Sequence, residues 1–142
     1  MKLKFAAALV AGAMVFFTAG CAAISRHIFA EPARDWEATS GQLLYQGAKT
    51  SLIGEVLVRY SKNGDLELTF TKGPGVTLLM IRQDAAFVRV TGPLARGSWS
   101  GAPKDAPQRL RGWIALRAIL LREKGSPVVR HTAGAEKFTF RF

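Results

Sequence analysis

Residues 52–70, Leu-Ile-Gly-Glu-Val-Leu-Val-Arg-Tyr-Ser-Lys-Asn-Gly-Asp-Leu-Glu-Leu-Thr-Phe, decide the fold. Leu52, Gly54, Val56, Val58 and Tyr60 fall on one side of an extended chain, with Glu55 and Arg59 on the other. Leu66, Leu68 and Phe70 then alternate with Glu67, Thr69 and Thr71. Between the two runs stands Asn63-Gly64. A type I′ turn needs φ > 0 at both central residues, which Asn-Gly tolerates best. A period of two on both sides of such a turn predicts an antiparallel hairpin with one buried face.

The pattern extends in both directions. Upstream, 41–49 is a weaker strand around Leu43, Leu44 and Tyr45. Downstream, Gly73-Pro74-Gly75 turns the chain into a nearly continuous apolar run, Val76 to Arg82, which reads as a strand covered on both faces. Gln83-Asp84 is a tight turn into a fifth strand over 85–90. Residues 91–107 hold Pro93, Gly97, Gly101, Pro103 and Pro107 and read as a long irregular segment. Trp99 within it has two readings: an exposed apolar finger, or a ring folded back over the core rim, which is the commoner outcome.

Residues 108–124 change period. Leu110, Trp113, Ile114, Arg117/Ala118 and Leu121 recur at helical spacing, and Gly125 and Pro127 end the run. Arg109, Arg111 and Arg122 lie off the apolar stripe. Such a helix can rest on a membrane surface or close the apolar face of the sheet. The second is favoured, because a meander needs a cover. Residues 127–132 read as a further strand, and 136–142 as a clear one, with Phe138, Phe140 and Phe142 on one face. The expected fold is α+β: an antiparallel β-meander of about seven strands, curved into a half-open barrel and covered by one amphipathic helix.

The N-terminal stretch determines location. Lys2 and Lys4 precede an apolar run from Phe5 to Ala19, the pattern of a secretory signal. The run is shorter than the ~20 apolar residues of a spanning helix. Thr18-Ala19-Gly20-Cys21 ends it with the only cysteine of the chain, which excludes an internal disulfide. This stretch resembles the lipobox of bacterial lipoproteins, departing from it at Thr18, where a large aliphatic residue is usual. The resemblance implies cleavage between Gly20 and Cys21, a diacylglyceryl group on Cys21 and acylation of the new N-terminus. With Ala22 following, it also implies the outer membrane, with the domain in the periplasm. Cleavage near Ala23 by an ordinary signal peptidase is the alternative. The expected organisation is a signal peptide over 1–20, a lipidated tether over 21–39 and a single domain over 40–142.

Loss of Lys2 and Lys4 with the signal lowers the formal charge of +10 by two and leaves about 120 residues, one domain's worth. The arginine excess suits anionic lipid or lipopolysaccharide phosphates, or no partner at all, since the charges are scattered. Export argues against nucleic acid.

A search for chemistry returns little. The ten carboxylates form no evident acid–base pair, His27 and His131 are far apart, and no G-x-S-x-G elbow or phosphate loop occurs. The expectation is a protein that is not an enzyme, with no catalytic residues, metal or cofactor.

An antiparallel sheet curved around a helix would enclose an apolar hollow. Val56, Val58, Leu66, Leu68, Phe70, Met80, Trp113, Phe138 and Phe140 are its candidate lining, able to hold an acyl chain. Residues 40–96 resemble the LolA/LolB superfamily of periplasmic lipoprotein carriers and receptors. The likeness lies in the Gly-containing first strand, the 52–60 strand, the Gly64-Asp65-Leu66 turn, the 70–75 stretch and Gly92-Pro93-Leu94. It implies binding of an acyl chain or another lipoprotein. The alternative is a structural or accessory lipoprotein with a closed core that contacts an outer-membrane protein or anionic lipid. Trp99, Arg109 and Arg111 are the candidate contacts for a membrane or partner.

Overall fold

The structure is a computed structural model that describes residues 27–142. Eight strands form one antiparallel sheet in the order β6-β5-β4-β3-β2-β1-β8-β7. They are β1 (Glu37–Gln46), β2 (Ser51–Tyr60), β3 (Leu66–Thr71), β4 (Thr77–Gln83), β5 (Val88–Gly92), β6 (Gly97–Gly101), β7 (Val128–Ala133) and β8 (Glu136–Arg141). The first six run as a meander. Helix α1 (Gln108–Arg122) then carries the chain back, and the β7–β8 hairpin joins the free side of β1.

The expected half-open barrel is not found. The sheet is neither closed nor strongly curled, and β6 and β7 are its two free edges. One strand more is present than expected. The added strand is β6, inside the segment read as irregular. Its Gly-Ser-Trp-Ser-Gly sequence has little apolar alternation, and pairing with β5 recruits it.

The decisive hairpin forms, with a different turn. Ser61 N–H donates to Asp65 O at 3.0 Å, and Gly64 N–H donates to Ser61 O at 3.1 Å. Only Gly64 in this turn has a positive φ, 85°. This is a three-residue loop, a type I turn closed by a left-handed glycine. Ser61 Oγ holds it together, accepting from the N–H groups of Asn63 and Asp65 and donating to Asp65 Oδ2 at 2.7 Å.

One face of the sheet packs under α1. Register places Val56, Phe70 and Leu79 in one row, and Val58, Leu68, Ile81, Val90 and Trp99 in the next. Leu43, Phe140 and Val129 continue the apolar surface across β1, β8 and β7. The helix buries Leu110, Trp113, Ile114, Leu116 and Leu120 against it. Gly112 is a close approach of helix to sheet. A Cβ there would stand 2.8 Å from Glu136 Oε1 and 3.3 Å from Phe138. The glycine costs about 1 kcal/mol in helix propensity and lets α1 settle over the β7–β8 turn. At the other end Arg117 Nε donates to Gly64 O at 2.7 Å, tying the helix to the β2–β3 turn.

Candidate functional site

The second face of the sheet is not covered by a helix. Because side chains alternate along each strand, burial of Val58, Leu68, Ile81 and Val90 sends their neighbours to this open face. Register then stacks Arg59, Glu67, Arg82 and Arg89 in one row across β2, β3, β4 and β5. Glu67, whose side chain is 11% exposed, accepts from Arg59 Nε at 3.1 Å and from Arg59 Nη2, and lies 3.6 Å from Arg82 Nε. One half-buried carboxylate serves two guanidiniums, so the row of three arginines keeps a positive excess.

A strap crosses this row. Residues 27–35, which precede β1, lie along the end of the open face at the β4–β5 turn. Phe29 is 8% exposed, with the guanidinium carbons of Arg82 and Arg89 each 5.3 Å from its ring centre. Arg82 Nη2 donates to Ala30 O at 3.1 Å, and Arg82 Nη1 lies 3.7 Å from Glu31. His27 stacks on Phe87 at 4.5 Å, and its Nε2 is 2.5 Å from Asp84 Oδ2. Asp84 binds in two directions. Its Oδ1 accepts from the N–H groups of Ala86 and Phe87 and so forms the β4–β5 turn, while Oδ2 takes the strap histidine. Burial pushes its pKa up, but the Ala86 N–H, His27 and the Phe87 N–H together outweigh that and hold the carboxyl below its ordinary value.

Beside the row lies a broad, shallow depression of about 750 Å³, floored by residues such as Leu57, Thr69, Thr71 and Met80. Ile53, 62% exposed, and Leu44 continue this face toward β8. A smaller cleft of about 270 Å³ opens on the other side of the sheet, where the C-terminal end of α1 leaves β1, β2 and β7. Val58, Tyr60, Leu120, Val129 and Phe142 form its apolar walls. Lys124 stands at its mouth, 3.0 Å from Glu37 Oε1 and 4.4 Å above the Tyr60 ring centre.

Eight of the nine residues expected to line a hollow, all but Met80, instead fill the helix–sheet core. Val56, Val58, Leu66, Leu68, Phe70, Trp113, Phe138 and Phe140 are each at most 2% exposed. Trp113 wedges between Tyr45, Phe70 and Phe138 at ring-centre distances of 4.9, 6.1 and 4.9 Å. An indole of that size occupies the space a curved sheet would have left. Met80 lies on the opposite, open face, because β4 is covered only on the side of Leu79 and Ile81.

Trp99 is half-buried opposite Val90 and packs on the core, the folded-back reading. Arg109 is exposed. Arg111 is exposed too, and its Nε donates to Ala106 O at 3.2 Å, within the helix approach. The structure does not bring Trp99, Arg109 and Arg111 together with the arginine row.

The row itself was missed in sequence, where Arg59 and Glu67 registered only as outward positions. The cross-strand register that aligns four residues from four strands is the missing information. The strap was missed for a similar reason: His27 and Phe29 carry no periodicity. Gly20 and Cys21 lie outside the described residues.

Tyr45 and Glu136 make a partly buried polar contact on the core side. Tyr45 Oη donates to Glu136 Oε2 at 2.7 Å. Burial, then the hydrogen bond and charge of Glu136, push the phenol pKa up to about 12. Among the described residues no group of three or more His, Cys, Asp or Glu could hold a metal ion. No helix among them is long and apolar enough to cross a membrane.

A scan against protein-family models and a search of curated proteins both find no match.

Proposed function

We propose that this chain is a non-catalytic accessory lipoprotein of the bacterial outer membrane. Cys21 carries the lipid, as its likeness to a lipobox suggests. Two or more acyl chains suffice for stable anchoring. The domain stands in the periplasm and uses its open sheet face to contact an outer-membrane protein or anionic headgroups. The observation that carries this reading is the contrast between a filled helix–sheet core and an open face with an arginine row and a shallow depression. A charged row beside exposed Leu57 and Ile53 is suited to a polar, partly apolar surface, not to an enclosed small molecule.

The test places a photo-crosslinking residue at Leu57, on the open face, or at Ala118, on the exposed side of α1. Membrane-embedded protein is then irradiated. Discrete adducts from Leu57 and none from Ala118 are expected. Adducts from Ala118 alone, or from neither position, refute the reading.

A second reading is supported by the cleft beside the end of α1. Its walls are apolar, a lysine stands at the mouth, and its volume of about 270 Å³ lies just under the ~300 Å³ at which ligand pockets begin. A single acyl chain entering there would give the lipid- or lipoprotein-binding function that the LolA/LolB likeness implies, without the half-barrel. Saturable binding of a fluorescent fatty acid by delipidated protein at micromolar concentration, abolished by Val129→Trp, would establish it. Binding that survives Val129→Trp, or no binding, removes this reading.

A further inference from the structure

The strap sets the orientation of the domain. Six Cα–Cα steps separate Cys21 from His27, and at ~3.3–3.6 Å per residue they reach about 20 Å when fully extended. A ten-residue strand such as β1 is alone roughly 30 Å long. A lipid on Cys21 therefore cannot lie at the far end of the sheet while His27 and Phe29 remain docked. We propose that the bilayer carrying the anchor is the surface that the β4–β5 end of the open face meets. The strap holds that end down, and the β1–β2, β3–β4 and β7–β8 turns point into the periplasm. This proposal rests on the reading of Cys21 as the lipid-bearing residue.

Three observations converge on it. The strap is fixed by independent contacts: Phe29 is buried against Arg82 and Arg89, His27 is bound to Asp84 and stacked on Phe87, and Ala30 O accepts from Arg82. These contacts begin at His27, six residues after Cys21, so the chain between anchor and docked strap is short. The strap also lies beside the arginine row, in which Arg59, Arg82 and Arg89 outnumber Glu67 and Glu31, a positive excess close to the end that would meet anionic headgroups. The strap, long enough to serve as a loose tether, serves instead as an orienting clamp. The depression floored by Leu57 and Met80 adjoins this end and opens within reach of a partner embedded in the same membrane.

The test uses the full lipidated chain, reconstituted into vesicles of phosphatidylethanolamine and phosphatidylglycerol that contain a headgroup-spin-labelled lipid. A fluorophore is attached through Ala86→Cys, in the exposed β4–β5 turn, or through Ala135→Cys, in the β7–β8 turn at the opposite end. Mass spectrometry of the same preparations reports the lipid on Cys21. Quenching at position 86 is expected to exceed that at 135 by at least twofold. The double substitution His27→Ala/Phe29→Ala should bring the ratio toward one without unfolding the domain, as near-UV circular dichroism will show. Lipid present with equal or reversed quenching overturns the proposed orientation alone. Strap variants that keep the full ratio overturn the clamp as its cause. Absence of lipid on Cys21 overturns the anchor reading and the orientation with it.

Discussion

The two faces of one sheet have opposite designs. Under α1, side chains from seven strands and the helix interlock in one core that includes Trp113, and hardly any of their surface meets water. On the other face the same strands present charge, threonine and a few isolated apolar residues, crossed at one end by nine residues of strap. The covered face shows where stability resides: close-packed interiors lose several kcal/mol when a large side chain is removed. The open face is under no such constraint, and residues there are free to serve recognition. The half-buried Glu67 shared between Arg59 and Arg82 on that face contributes little to a packed core, but it fixes the geometry of a cationic row.

This contrast can be broken most sharply at Trp113. Trp113→Ala should cost ~3–5 kcal/mol, measured as a fall in urea midpoint with an unchanged slope. A loss below about 1 kcal/mol would mean that the helix does not close the core.

Tyr45 tests the covered face by pH. Its phenol is neutral when protonated, and its folded pKa of about 12 lies above the ordinary value near 10. The folded state thus holds this proton more tightly than the unfolded chain does. The stabilisation is complete below pH ~10 and is lost as pH rises toward about 12. Urea unfolding at pH 8.5 and 11 should show a larger loss for the parent than for Tyr45→Phe. Equal losses would remove Tyr45 as a titrating contact.

The smallest effect belongs to the open face. Leu57→Ser, 40% exposed in the parent, should change unfolding free energy by no more than ~0.5 kcal/mol. It should still reduce crosslinking of a neighbouring photoprobe at Ile53 to any partner. A loss of stability comparable to that at Trp113 would show that this face, too, is a core.

Much of the fold is legible in the chain itself. Strict alternation in β2, β3 and β8 identifies both strand and buried face, because a period of two leaves no other register that buries Val56, Val58, Leu68, Phe70, Phe138 and Phe140 together. The helical spacing from Leu110 to Leu121 identifies α1 and the first half of its packed side, Leu110, Trp113 and Ile114; in the second half Leu116 and Leu120 are buried, where the stripe pointed to Ala118 and Leu121. Two strands were harder to place. In β6, glycine and serine hide a strand that exists because β5 offers an unpaired edge. In β4, the apolar run from Val76 to Arg82 suggested cover on both faces, yet of its apolar residues only Leu79 and Ile81 are buried. A continuous apolar run cannot by itself reveal how many layers lie against it.

At the candidate site the division is different. Arg59, Glu67, Arg82 and Arg89 are separate surface residues until register places them side by side, and His27 and Phe29 are unremarkable tether residues until they meet Asp84 and the arginines. The expected hollow failed on volume. Polarity patterns specify which residues face inward, but only the three-dimensional arrangement shows whether inward-facing phenylalanines and a tryptophan leave a space or fill it.

The sequence by itself thus determined seven of the eight strands, the helix, the buried face of the sheet and the candidate lipid attachment point at Cys21, all of which depend on local periodicity or adjacent residues. The tertiary structure alone decided that the sheet stays open, that the core is filled, and that a strap and an arginine row meet at one end. Those outcomes depend on packing and register between residues distant in the chain, which no local pattern records.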